Sequence, residues 1–222
     1  MQSRLGRRWP VPVWGNMRRA EPFSDSYGTD RGTPVDRHFL RRFLERHRSD
    51  IRGTVMEMER PEWVECFGVE VDRLDIVDIN PANLEANRVL DLCEPDLLPN
   101  ATYDCMLVTQ TLQYVASPAS VLRNLGAALA PGGTLFLSVP VISRLDANSG
   151  PTGDRWRFSP AGLRLLLEDT LPGVRAEVVG FGNLPAALAF LAGLAAEELS
   201  ARDLELQDER FPIIACARVT LT

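Results

Sequence analysis

The stretch from Asn87 to Pro140 constrains the fold more than any other part of this 222-residue chain. Two short apolar runs of β type, Cys105–Val108 and Thr134–Val139, flank a segment whose apolar residues Val121, Leu122, Leu125 and Leu129 recur at helical spacing. Pro131-Gly132-Gly133 then stops the helix. Strand, helix, strand in that order is a βαβ unit. Its strands show little alternation of apolar with polar residues, as expected when both faces of a strand are covered, so the sheet is read as parallel and sandwiched between helices. The same pattern recurs on both sides: strands at Thr54–Met58, Arg73–Ile79, Val174–Phe181 and Ile213–Leu221, and helical stripes after Asp36, over Ala161–Glu168 and over Leu184–Leu204.

Three motifs in that stretch occur in a telling order: Val89-Leu90-Asp91-Leu92, then Tyr103-Asp104-Cys105 opening a strand, then Leu129-Ala130-Pro131-Gly132-Gly133-Thr134-Leu135. Together they resemble the class I S-adenosylmethionine (SAM)-dependent methyltransferases, in the methyltransferase type 11-like, small-molecule branch, over roughly Gly53 to Pro140. The resemblance implies an α/β, Rossmann-like, seven-stranded, mostly parallel sheet with helices on both faces and an antiparallel C-terminal strand. It also implies SAM as cofactor. Residues 1–26, rich in Arg and Pro, read as an N-terminal arm, and 27–222 as the methyltransferase-like domain.

The resemblance maps onto the chain residue by residue. Glu57, with Met58 and Glu59 beside it, stands where the family contacts the methionyl amino group. Asp91 stands where it accepts from the adenine amino group, with Leu92 covering the ring. The segment before the first helix, which closes over cofactor or substrate in the family, brings in Tyr27, Arg31 and Thr33, and Arg31 is the arginine expected to take the methionyl carboxylate, because a guanidinium matches a carboxylate bidentately. The family has a glycine-rich turn after its first strand; this chain has Glu59-Arg60-Pro61-Glu62-Trp63 and no glycine between Gly53 and Gly68.

Other candidates come from position. A carboxylate at the end of the second strand can accept both ribose hydroxyls. Asp78, next to Ile79, fits this, with mid-strand Asp75 as its competitor and helix capping as the alternative role of Asp78. Thr109, Gln110, Thr111, Gln113 and Tyr114 follow the fourth strand, at the edge where open parallel sheets bind ligands. The polar segment 142–154 is long enough for a lid or binding loop, and Asp154, Trp156 and Arg157 resemble the wall of a substrate pocket, Trp156 and Phe158 alternatively stapling the next helix. Asp154, Tyr114 and His38 are the candidate general bases for methyl transfer, with His38 alternatively a surface residue of its helix.

Composition narrows the class. A net charge of −6 argues against nucleic acid as a partner, even though arginines from Arg4 to Arg48 crowd the first fifty residues. Cys66, Cys93, Cys105 and Cys216 are far apart, as in buried thiols of a reducing compartment, and no His, Asp or Glu spacing suggests a metal. With no signal peptide evident and the longest apolar segment, Leu184–Ala196, too short to span a bilayer, the reading is a cytoplasmic protein with no membrane partner; a homo-oligomer stays open. The functional expectation is methyl transfer to a small molecule, such as a bacterial secondary metabolite, in antibiotic biosynthesis for instance, or a sugar hydroxyl. The alternative is a methyltransferase-fold protein without transfer activity, acting as a scaffold or in another reaction.

Overall fold

A computed structural model describes residues 15–149 and 153–221. Seven strands form one sheet: β1 (Gly53–Met58), β2 (Val71–Asp78), β3 (Arg88–Val89), β4 (Tyr103–Thr109), β5 (Leu129–Pro140), β6 (Val174–Phe181) and β7 (Ile214–Leu221), in the order β3-β2-β1-β4-β5-β7-β6. All pairings from β3 to β5 are parallel, and β7 runs antiparallel to both β5 and β6. The sheet is therefore the one expected, with a single reversed strand. Its third strand is only two residues long.

Alternation of side chains sorts the core into two layers. Met106, Val108, Leu135 and Leu137 face α3 (Pro118–Ala128) and α4 (Pro160–Thr170), which contribute Val121, Leu122, Leu125, Leu163 and Leu167. Cys105, Leu107 and Phe136 face the other way, onto α1 (Val35–Arg46), α2 (Glu62–Phe67) and α5 (Leu184–Ala192), with Phe39, Phe43, Trp63 and Phe190. Cys105 and Cys216 are buried in that second layer, and Cys66 is exposed.

Local chemistry sets the helix starts. Ser117 and Ser159 each accept an N–H of the first turn and are followed by Pro118 and Pro160, whose missing N–H costs nothing there; Asn183 caps α5 in the same way. Asp36 does not cap α1: the cap position is Pro34, and Asp36 lies in the first turn. The single helix expected over 184–204 is broken. Gly193 turns left-handed at φ +75°, a 3-10 turn spans Ala196–Glu198, and α6 (Ala201–Glu205) follows. Residues 1–14 of the expected arm lie outside the described residues; from Phe23 on the segment packs against α5, with Phe23 N–H donating to the Ala192 carbonyl and Ser24 buried. No helix among the described residues is long and apolar enough to cross a membrane.

Candidate functional site

The parallel pairing brings the carboxyl ends of β1, β2, β3 and β4 to one edge, and a cleft of about 630 Å³ opens there. Met58, Glu59, Asp78, Ile79, Asp91, Leu92, Gln110, Thr111 and Tyr114 all line it, so nine of the sequence-derived candidates meet in one place. Asp78 is at the end of β2, its oxygens accepting from the Asn80 N–H at 2.9 Å and the Asn83 amide at 2.7 Å. Asp91 accepts from the Cys93 N–H at 2.8 Å. Asp75 has another role. It is buried, accepts the Tyr103 hydroxyl at 2.7 Å and is flanked by Arg73 and Arg88, away from the cleft.

Two smaller spaces adjoin the cleft. An inner chamber of about 170 Å³ lies beneath α1 and α5, bordered by Tyr27, Asp36, Gln113, Asp154 and Phe190. A groove of about 180 Å³ runs between the end of β1 and the start of α2, bordered by Arg37, Glu57, Arg60, Trp63 and Thr109. Gln110 and Tyr114 border all three spaces and form their common wall. Gln110 holds a left-handed φ of +48°, which ends β4 abruptly, and its N–H donates to the Ser138 carbonyl of β5 at 2.9 Å.

The turn after β1 lacks glycine but keeps a left-handed step, at Glu59 with φ +65°. A non-glycine residue there costs about 1–3 kcal/mol and persists only where its surroundings enforce it. The enforcing contacts are the Glu59 N–H to the Val77 carbonyl at 2.9 Å and the Asn83 amide to the Glu59 carbonyl at 2.6 Å. Glu57 turns away from the cleft. Its two oxygens accept the Trp63 and Val64 N–H groups of α2 at 2.7 and 2.9 Å. Burial pushes its carboxyl up to about 7, against the opposing pull of those two N–H donors.

Several expectations need correction. Arg31 borders none of these spaces; its guanidinium is held by both oxygens of Glu198. Thr33 donates through its N–H and hydroxyl to Glu197, and His38, whose imidazole burial pushes below its ordinary value, borders no cavity described above. Tyr27 lines the inner chamber, not the cleft, and stacks on Phe190. Asp154 is committed to Arg157 by two hydrogen bonds and accepts the Asp146 N–H at 2.9 Å; burial raises its carboxyl, but these bonds outweigh burial and hold it below the usual carboxylate range, a poor setting for a base. Arg157 also donates to the Arg144 carbonyl, and Trp156 Nε1 to the Val115 carbonyl, so this pair fastens the segment after the polar loop instead of lining a pocket. The phenol of Tyr114 is pushed well above its ordinary value by burial and by Asp146, to which it donates at 3.2 Å, and it therefore keeps its proton at neutral pH.

Sequence reasoning missed Asp146, Asn148 and Arg155 in the cleft, and Asp36 and Arg37 at the inner spaces. The first three lie on or just after the polar loop, where no periodicity marks which way a side chain points. For Arg37 a signal existed, since α1 presents Val35, Phe39 and Phe43 inward and fixes where the intervening residues point. Among the described residues no group of His, Cys, Asp and Glu is arranged to hold a metal.

Residues 27–170 match a protein family described as a methyltransferase domain. No curated protein sequence matches the chain. Among solved structures, an S-adenosylmethionine-dependent methyltransferase from Mesorhizobium loti is 16% identical, with a TM-score of 0.56 over 87% of this chain and 100% of that one. The N-methyltransferase NodS from Bradyrhizobium japonicum, solved with S-adenosylhomocysteine (SAH), is 14% identical, with a TM-score of 0.53 over 92% and 94%. The [4+2]-cyclase SpnF is 15% identical, with a TM-score of 0.55 over 86% and 83%.

Proposed function

Since the chain belongs to the methyltransferase-domain family and has the class I SAM-dependent fold, we propose that it transfers the methyl group of SAM to a small molecule held beside Gln110 and Tyr114. The observation that carries this reading is the convergence of Asp78, Asp91 and Leu92 on one cleft whose wall, Gln110 and Tyr114, is shared with the smaller chamber beneath α1 and α5. The residues fit the cofactor. Asp78 would accept the ribose hydroxyls, Asp91 would accept the adenine amino group, and Leu92 with Ile79 would give the ring apolar cover. When bound, SAM supplies a methyl group activated by a sulfonium. The groove beside β1 suits a zwitterionic methionyl end, because Arg37 and Arg60 both border it with Glu59 nearby. Arg37, which lines the groove and donates to Glu62 through one guanidinium nitrogen only, replaces Arg31 as the residue for the carboxylate. The chain's remaining task is to orient an acceptor and exclude water; no metal is needed for that.

The small-molecule class rests on the size of the inner chamber and on the acidic net charge, which does not suit a polyanionic substrate. Roles in secondary metabolism or antibiotic biosynthesis belong to this proposal as settings in which such small acceptors occur. Calorimetric titration with SAH tests the cofactor part. Loss of a partner from a buried polar contact costs about 1–3 kcal/mol, roughly 5- to 150-fold in affinity. Asp78→Ala and Asp91→Ala should each weaken SAH by that factor while retaining the wild-type circular dichroism. Wild-type affinity in both variants removes the assignment of these two carboxylates, and no SAH binding by the unaltered protein favours the alternative of a methyltransferase fold without transfer activity.

A further inference from the structure

The inner chamber carries an imbalance of hydrogen-bonding groups. Gln113 is only 4% exposed, and its Oε1 has no hydrogen-bond partner, while its Nε2 is spent on the Gln110 carbonyl and side-chain oxygen, both at 3.0 Å. Asp36 borders the same chamber from the first turn of α1; among the described residues no side chain hydrogen-bonds it, N–H groups of its own turn face its carboxylate, and Arg37 and Glu62 act on it through their charges. Several of the donors nearby are already engaged. Arg37 donates to Glu62 at 2.8 Å, Tyr114 to Asp146, and Arg157 to Asp154. What Gln113 Oε1 lacks is a donor, and a buried acceptor left without one is destabilising. Tyr27 and Phe190, stacked at 6.1 Å between ring centroids, give the chamber an aromatic flank.

We propose that the inner chamber is the methyl-acceptor subsite and takes a small organic amine, whose N–H groups are received by the Asp36 carboxylate and Gln113 Oε1. This rests on the functional reading above and adds to it the substrate class and two residues that recognise it. A hydroxyl has one proton to give, whereas an amine or ammonium has two or three and satisfies both acceptors at once. Size agrees, since a cavity of about 150 Å³ holds one benzene ring. On transfer, the amine lone pair forms the new N–C bond, sulfur keeps the electron pair of the broken S–C bond, and the proton shed by nitrogen passes to the Asp36 carboxylate. Burial already holds that carboxyl above its ordinary value, which makes it a better proton acceptor than the Arg157-bound Asp154.

Benzylamine and its neutral match benzyl alcohol are suitable probes. Each is titrated against the full chain with and without saturating SAH, in the wild type, Asp36→Asn and Gln113→Leu. The expected result is saturable benzylamine binding at least tenfold tighter than benzyl alcohol in the wild type, and a preference below threefold in Asp36→Asn, with SAH affinity within twofold of wild type. Gln113→Leu should also lose benzylamine, and it serves if Asp36→Asn does not fold. Absent or non-saturable benzylamine binding in the wild type, or a tenfold preference that survives both substitutions, overturns the amine assignment. Because SAH binding is read separately, failure of the cofactor reading leaves a different signature: no SAH isotherm, with the benzylamine result unaffected.

Discussion

At the scale of single residues, Glu57 is the point where burial and hydrogen bonding conflict most openly. Two N–H donors at the start of α2 favour its charge, yet enclosure raises its carboxyl to about 7. The native state thus binds a proton that the unfolded chain, with an ordinary glutamate near 4.5, has released. The sign follows from linkage: stability from this group is fully present below about pH 4.5 and is lost as pH rises through about 7, an effect on the order of 3 kcal/mol. Asp36 shifts in the same direction, while His38 and His47, both lowered chiefly by burial, act oppositely, so the total curve mixes signs. Urea unfolding of the wild type and Glu57→Gln at several pH values isolates the term. The stability difference between them should change steadily from pH 4.5 to 7, and a difference independent of pH would contradict the assignment. Arg37 makes a second prediction at this scale. Its guanidinium borders the groove proposed for the methionyl end, so Arg37→Ala should weaken SAH at least tenfold and adenosine less than threefold, because only SAH carries the carboxylate. Equal losses measured by calorimetry would show that Arg37 acts on structure alone.

At the scale of elements, α5 shows where a helix pattern misleads. The apolar run from Leu184 onward continues past Ala192, and periodicity by itself extends one helix to Leu204. The break comes from tertiary contact: a Cβ at Gly193 would lie 2.5 Å from the Ser24 carbonyl oxygen and 2.8 Å from Ser24 N, and the residue is left-handed at φ +75°. Gly193→Ala should therefore lower the melting temperature by at least roughly 2 °C, at about 1–3 kcal/mol of strain and 2–4 °C per kcal/mol for a chain of this size; an unchanged melting temperature in differential scanning calorimetry would refute it. The strands were legible because their apolar runs and flanking turns are local signals, and β6 matches its expected bounds, Val174–Phe181. Asp78 was legible from its place at the end of β2, and Asp91 from the family resemblance. Arg31 was misread because its partner, Glu198, is 167 residues away, and nothing local distinguishes an arginine held by a distant carboxylate from one free to take a ligand.

At the scale of the whole molecule, function follows from topology. The parallel strands β1 to β5 all end at one edge, and ligand groups collect where β1, β2, β3 and β4 stop. The helices add the depth: α1 and α5 border an inner chamber that shares Gln110 and Tyr114 with the cleft. This arrangement orders the proposed reaction in space, adenosine outermost, methyl group at the shared wall, acceptor within. The most direct measurement is a crystal structure of the protein grown with SAH. The account predicts ribose hydroxyls within hydrogen-bond distance of Asp78, adenine over Leu92 with its amino group at Asp91, and the sulfur beside Gln110 and Tyr114. SAH bound elsewhere, or bound in the cleft with its sulfur turned away from that wall, would contradict it.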